Sequence, residues 1–157
     1  MAVEAYELTT RGGASDFARL IAACELFGPY CLIGGLAVNC YVEPVYTLDA
    51  DLVATKESVA KLAARSSPGS QLRIQFTTDE RYQPFPARAR DAEVLGVRTR
   101  VASLEDVTRG KLWAYSDPRR RLSKRKKDEL DLIRLAETCP HLKSLYPQEL
   151  QELLDRG

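Results

Sequence analysis

Two aspartates spaced two positions apart, Asp49 and Asp51, are the residues best suited to chemistry in this sequence. They lie in residues 47–54, where apolar neighbours predict a core strand. Because side chains alternate along a strand, both carboxylates point to the same face, with Cβ atoms roughly 6–7 Å apart. Such a pair is costly to bury unpaired, and a divalent cation such as Mg²⁺ (or Mn²⁺) removes that cost. The alternative is a strand end whose carboxylates face water.

A glycine pair, Gly34 and Gly35, follows the short apolar stretch 30–33 and precedes a predicted helix. Glycines at such a bend allow a ligand to approach the backbone closely, and the N–H groups at the start of the next helix can hold a phosphate. The order strand, Gly-Gly, helix, then a strand with Asp-x-Asp therefore indicates a site where a phosphate group lies near a divalent cation.

Composition excludes several other classes of site. The chain has 157 residues, 45% hydrophobic and 29% charged, which is typical of one globular domain. A single histidine, His141, gives little support to Ser-His-Asp chemistry, and four cysteines without a C-x-x-C pair do not predict a zinc site. With no visible secretory signal and no apolar run of about 18 residues, we expect a cytoplasmic protein without a membrane partner.

The elements that must position these residues follow from periodicity and from turn residues. We predict an α/β (α+β) fold: a small mixed β-sheet with flanking helices and a helical C-terminal part. One domain spans residues 1–157, with a core at 28–102 and the helical part at 103–157. The predicted helices are 14–27, 36–41, 56–65, 104–115, 126–137 and 147–154. In the helix 126–137, we expect Leu130, Ile133 and Leu135 to face the core. The predicted strands are 30–33, 47–54, 72–77 and two short strands flanking a turn at Gly96, with a plain loop at 66–70.

The residues 30–39 and 47–53, with thirteen positions between Gly35 and Asp49, resemble the signature of the DNA polymerase beta nucleotidyltransferase superfamily. Further segments narrow this resemblance to the AbiEii-type branch, which includes the toxins of type IV toxin–antitoxin systems. They comprise residues 102–107, 111–114 and 127–132. The resemblance spans about residues 28–136 and implies a nucleotidyltransferase-like fold.

The resemblance also implies residue roles. Gly34 and Gly35 would cradle the triphosphate, and Asp49 and Asp51 would ligate Mg²⁺. Lys111 would face the phosphates, and Asp128 and Asp131 match the late acidic motif. The implied reaction transfers a nucleoside monophosphate from an NTP to an RNA or protein acceptor, with a tRNA end as one candidate and an antitoxin as a further partner. On their own residue types, Lys111 is a solvated lysine and the two late aspartates favour a helix dipole.

One position departs from the superfamily pattern. A third carboxylate is expected on the neighbouring strand, and Gln75 stands there instead. Glutamine cannot act as a general base near pH 7, although Asp79 and Glu80 follow the strand and are candidate substitutes. The alternative function is therefore a catalytically weakened member that acts as a nucleotide- or nucleic-acid-binding partner.

Positive charge is concentrated in one segment of a nearly neutral chain. Residues 109–127 contain nine basic residues and one acidic residue. This imbalance predicts contact with the backbone of RNA or DNA; a solvated loop is the alternative, and a basic RNA-binding protein without a nucleotide site is a third class. The candidate contacts are Arg119, Arg120, Arg121, Lys124, Arg125, Lys126 and Lys127.

Overall fold

The computed structural model describes Val3, residues 12–62 and residues 71–157. The chain divides into two compact units, Met1–Ser103 and Leu104–Gly157. That these units work as one domain stays a prediction. The predicted loop at 66–70 and the last residues of the predicted helix 56–65 lie outside the described residues.

Within the described ranges of the first unit, five strands form one mixed sheet in the order β3-β2-β1-β5-β4. β1 pairs antiparallel with β2 and parallel with β5, β2 pairs parallel with β3, and β4 pairs antiparallel with β5. The elements in chain order are α1 (Gly13–Phe27), β1 (Tyr30–Ile33), α2 (Gly34–Val38), β2 (Asp49–Ala54), α3 (Lys56–Leu62), β3 (Arg73–Thr77), α4 (Phe85–Arg88), β4 (Arg90–Val94) and β5 (Val97–Val101).

The two central strands of this sheet carry the core. In β1, Cys31 and Leu32 are fully buried, as expected for a strand covered on both faces. In β2, Ala50 and Leu52 are fully buried while Asp49 and Asp51 are half-buried, so the predicted alternation is present. The sheet therefore presents both carboxylates on one face while the other face packs into the core.

The second unit is helical: α5 (Leu104–Tyr115) packs on α6 (Leu122–Thr138), a 3₁₀ helix spans Pro140–Leu145, and α7 covers Gln148–Arg156. The Tyr146 hydroxyl donates to the Leu132 carbonyl and ties the chain after the 3₁₀ helix to α6. No helix in the described ranges combines the length and the apolar character required to cross a membrane.

The predicted fold class, a mixed sheet with flanking helices and a helical C-terminal part, is confirmed. Several element bounds differ from the sequence prediction. The helix predicted at 126 begins at Leu122, so most of the basic segment is helical and not a loop. The helix α4, which follows Pro84, and the 3₁₀ helix at Pro140–Leu145 were not predicted. Leu130, expected in the core, is 54% exposed.

Candidate functional site

Asp49 and Asp51 lie at the start of β2, on the face that is not buried. The register places Arg73 of β3 beside Asp49 and Gln75 beside Asp51. Directly paired residues of neighbouring strands point to the same face of a sheet. The two carboxylates therefore share their face with one cation and one neutral amide.

Gly34 brings the bend after β1 against the second carboxylate. Its backbone has φ +73°, a conformation that side chains disfavour, and a Cβ built there would overlap the Asp51 carboxylate and lie 3.1 Å from the Asp51 Cβ. The register explains this approach, because Ile33, the last residue of β1, pairs with Asp51. Both the backbone conformation and the contact thus require glycine at position 34.

Gly35 is placed differently. A Cβ at Gly35 would lie 3.6 Å from the Thr47 hydroxyl, which is ordinary contact, so the steric demand for glycine is weaker here. The Thr47 hydroxyl accepts a hydrogen bond from the Asp49 backbone N–H at 3.2 Å. Thr47 therefore stabilises the turn into β2 and bounds the glycine bend on the side of Asp49.

Arg73 is a site residue that the sequence analysis missed. Its Nε donates to Oδ1 of Asp49 at 2.7 Å, and the two side chains are 60% and 21% exposed. Because both groups reach solvent, water and salt screen the pair and its net contribution to stability is small. The pair nevertheless places a positive charge where a metal ion bound to Asp49 would lie.

Gln75, where the resemblance predicts a third carboxylate, lies directly beside Asp51 in the strand register. Neither Asp79 nor Glu80, the two acids that follow β3, lies at this position of the strand. Asp79 follows the end of β3 at Thr77 and lies outside the strand. Hydrogen bonds from the backbone N–H and the guanidinium of Arg81 lower the pKa of Asp79. Asp79 is therefore a weak proton acceptor tied to its own loop.

The donor set at β2 fits a magnesium ion that takes part of its shell from a substrate. Mg²⁺ in nucleotide sites is commonly held by one or two carboxylates together with phosphate oxygens and water. Asp49 and Asp51 supply two such carboxylates on one face. Among the described residues, no group of three or more His, Cys, Asp or Glu side chains could hold a metal ion.

The second unit brings together the other residues that the resemblance singled out. The Lys111 ammonium lies 3.3 Å from Asp128 and 2.8 Å from Asp131. Arg120 donates to Asp128 at 2.7 Å, and Arg134 donates to Asp131 at 2.8 Å. Because Asp128 is only 1% exposed, its charge depends on these partners. Three cations and two carboxylates thus form one ion-pair network on α5, α6 and the segment between them.

Lys111 stays protonated in this network. Burial alone would lower the pKa of Lys111, but the charges and hydrogen bonds of Asp131 and Asp128 outweigh it, so the pKa is raised above its ordinary value. The Lys111 side chain, which is 11% exposed, therefore carries a permanent positive charge within the network.

The predicted nucleic-acid contacts divide into two groups. Arg120 is engaged by the buried Asp128 and belongs to the ion-pair network. Arg119 and Lys126 form weaker pairs with Asp117 and Glu129, at 3.5 and 3.4 Å, and remain 92% and 63% exposed. Arg121 and Lys127 are exposed, and Lys124 and Arg125 are half-buried.

A cavity of about 330 Å³ lies beside the glycine bend in the first unit. It is lined by one side of α2 and the chain after it (Leu36, Asn39 and Cys40), by the segment leading into β2 (Pro44, Val45 and Thr47) and by β4 and the turn after it (Ala92, Glu93, Val94 and Leu95). The Asn39 amide donates to the Val45 carbonyl at 2.7 Å and accepts from the Val45 N–H at 3.1 Å, which fixes the cavity wall.

Comparison with solved structures identifies the fold. The antibiotic-resistance factor ANT(2'')-Ia superimposes with a TM-score of 0.54 and 16% identity, covering 94% of this chain and 91% of that chain. The chain has a nucleotidyltransferase-like fold. An antigenic nucleotidyltransferase-like protein from Paracoccidioides brasiliensis matches with a TM-score of 0.47 and 19% identity, covering 90% of this chain and 85% of that chain. No family model and no curated protein matches the sequence.

Proposed function

We propose that the protein transfers a nucleoside monophosphate from Mg–NTP to a hydroxyl group of an acceptor. The observation that carries the proposal is the contact between the Gly34 backbone and the Asp51 carboxylate. It sets a bend without side chains beside a pair of aspartates on one face of β2. The nucleotidyltransferase-like fold supports the same activity.

In this reaction the acceptor oxygen forms a bond to the α-phosphorus while the bond from that phosphorus to the bridging oxygen breaks, and pyrophosphate leaves. Asp49 and Asp51 would hold Mg²⁺, which when bound neutralises the phosphate charge and polarises the α-phosphoryl group. Gly34 and Gly35 leave the backbone open to phosphate oxygens. Arg73, displaced from Asp49 by the cation, would be available to donate to a phosphate.

Gln75 sets the limit of this chemistry. Its amide can orient the acceptor hydroxyl by a hydrogen bond, but it cannot remove the hydroxyl proton near neutral pH. The proton therefore passes to solvent in our proposal, and the reaction lacks the general base that commonly contributes a factor of about 10²–10⁴ to rates. We expect slow transfer.

The proposed acceptor is a hydroxyl group of an RNA or of a protein. A tRNA end is one candidate, which follows from the resemblance to AbiEii-type toxins. An antitoxin partner is proposed on the same ground. Lys111, Asp128 and Asp131 remain proposed catalytic residues, with Lys111 as a point charge toward the phosphates. The raised pKa of Lys111 supports that role, whereas its two carboxylate partners support a structural one.

A second candidate function is nucleotide binding without efficient transfer. It is favoured by the two residues of β3 that face the aspartates, because Arg73 neutralises Asp49 and Gln75 replaces an acid. Such a protein would act as a binding partner of a nucleotide or of a nucleic acid.

The experiment incubates the protein with each α-³²P-labelled NTP, Mg²⁺ and total RNA, and compares wild type with Asp49→Ala/Asp51→Ala. Asp91→Ala is the matched control, because Asp91 also lies on a strand and forms ion pairs with two arginines. Label transfer by wild type and by the control, but not by the double variant, supports the transferase. Transfer that persists in the double variant contradicts it. No transfer with retained Mg–NTP binding by calorimetry favours the second candidate.

A further inference from the structure

The start of α6 concentrates cations in a place that ordinarily favours anions. The basic surface is defined here by six of the seven basic residues between 119 and 127: Arg119, Arg121, Lys124, Arg125, Lys126 and Lys127. No acidic residue lies in the first turn of α6, and no side chain caps its N-terminus. Because the helix dipole is positive at this end, the cations and the dipole repel each other.

This arrangement carries an energetic cost that an external anion relieves. Asp117 and Glu129 pair with Arg119 and Lys126, and both pairs are long, at 3.5 and 3.4 Å. The Nε of Arg125 is buried and has no hydrogen-bond partner within the described part of the chain. A buried donor without a partner adds to this energetic cost.

The helical geometry sets the spacing of these charges. Residues 122–127 rise about 8 Å along α6, whereas each strand of a duplex presents a phosphate about every 3.4 Å of axis. The axial length of the basic part of α6 therefore corresponds to two or three successive phosphates, and Arg119 and Arg121 lie just before the helix. Guanidinium groups bind phosphate oxygens in pairs, which suits this use.

We infer that the basic surface at the start of α6 binds the sugar–phosphate backbone of a nucleic acid. Arg120 is not part of it, because its guanidinium is held by the buried Asp128 carboxylate. This inference does not rest on the proposed function: backbone binding requires neither the aspartates of β2 nor a nucleotide. It also predicts little sequence preference, since phosphates carry no sequence information.

An acidic protein is the other class of partner with suitable charge. Leu122 and Leu130, which are 62% and 54% exposed on α6, would suit such a partner. The density of cations favours nucleic acid, and the experiment below separates the two.

The test measures binding of a fluorescein-labelled single-stranded RNA of mixed sequence by anisotropy, in EDTA and without NTP, across a series of salt concentrations. The full chain is compared with Arg119→Gln/Arg121→Gln/Lys127→Gln. The matched control is Lys56→Gln/Lys61→Gln/Arg98→Gln, which removes the same charge from exposed positions of the first unit. Circular dichroism and thermal melting establish that each variant is folded.

We expect the basic-surface variant to lose at least about tenfold in affinity. The magnitude of its slope of log affinity against log salt should fall by about 2, because each of the three lost phosphate contacts contributes about 0.7 on a single strand. The control should change affinity less than about twofold, and Asp49→Ala/Asp51→Ala should bind RNA as wild type does. Equal losses in both triple variants, or no RNA binding at low salt, would overturn the inference. Tighter binding of a labelled polyglutamate than of RNA through the same residues would overturn it in favour of an acidic protein.

Discussion

Arg73 and Asp49 face each other across β3 and β2, and the Arg73 Nε donates to Oδ1 of Asp49 at 2.7 Å. The guanidinium thus lies on a carboxylate that the proposed function assigns to the metal. A divalent cation and Arg73 compete for the same oxygens. The proposed site is therefore partly neutralised before any metal or nucleotide binds.

Removing this competitor should strengthen metal binding. In Arg73→Ala, we expect Mn²⁺ affinity in the absence of nucleotide to rise about two- to fivefold, the range that a screened surface ion pair allows. Electron paramagnetic resonance of free Mn²⁺ measures this directly. Arg81→Ala is the control, since Arg81 pairs with Asp79 and not with the β2 acids. Unchanged or weaker Mn²⁺ binding in Arg73→Ala would show that Asp49 does not hold the metal.

Gly34→Ala should damage the site beyond its effect on stability. The substitution places a side chain at φ +73° and pushes it into the Asp51 carboxylate. Gly96→Ala is a matched control because Gly96 has φ +80° but faces only Val3, with the nearest atom at 3.4 Å. Both variants should lose about 1–2 kcal/mol of unfolding free energy from the backbone conformation.

Mn²⁺ and Mg–NTP binding, measured by calorimetry, should fall at least about tenfold in Gly34→Ala and stay unchanged in Gly96→Ala. If the two variants bind equally well, the Gly34 bend is structural only.

The glycine bend and the aspartate pair could each be anticipated from the sequence, because each depends on a short-range rule, whereas their meeting at Gly34 and Asp51 depends on the antiparallel register of β1 and β2. Alternation sets Asp49 and Asp51 on one face, and a glycine pair after an apolar run predicts a bend. Arg73 could not be assigned in the same way. Its place beside Asp49 depends on the parallel pairing and exact register of β2 and β3, which a single sequence does not reveal.

The helix α6 shows why hydrophobic periodicity can mislead. The apolar pattern predicted Leu130 in the core, but the buried positions are Asp128, Leu132, Leu135 and Ala136. A carboxylate occupies a core position because Lys111 and Arg120 compensate its charge. Leu130 is exposed because it lies outside the face that these four positions form at helical spacing.

Gln75→Glu should increase nucleotidyl transfer. The register sets position 75 beside Asp51, so a carboxylate there could accept the proton of the attacking hydroxyl. We expect a gain of at least about tenfold in the single-turnover transfer rate, within the usual range for a general base. The rate should also acquire an acidic limb as the new carboxyl group titrates. Gln75→Ala is the control, and equal rates for the glutamate and alanine variants would place the base elsewhere.

Lys111→Met should destabilise the second unit. It leaves Asp128, at 1% exposure, with only Arg120, and Asp131 with Arg134. Breaking a buried pair typically costs about 3–5 kcal/mol; because each carboxylate keeps one partner, we expect a loss of about 2 kcal/mol by denaturant unfolding. Lys126→Met, which removes an exposed partner of Glu129, should cost less than about 0.5 kcal/mol. Similar losses in both variants would contradict a structural network.

The same network predicts how stability depends on alkaline pH. The pKa of Lys111 is raised in the folded protein, chiefly because the attraction of Asp131 and Asp128 outweighs its burial. Partial burial, aided by a hydrogen bond to Glu149, raises the pKa of Tyr115 to about 12. Between the ordinary values near 10 and these raised values, the folded protein keeps protons that the unfolded chain releases.

Burial also raises the pKa of the Cys24 and Cys40 thiols, so the unfolding free energy should fall as pH rises above about 9. Denaturant unfolding at pH 8, 10 and 11 measures this dependence. Lys111→Met should show a shallower fall than wild type above pH 10, because one of the groups with a raised pKa is gone, while Lys126→Met should follow wild type. A wild-type stability that increases between pH 10 and 11 would mean that Lys111 does not keep its proton through contact with Asp128 and Asp131.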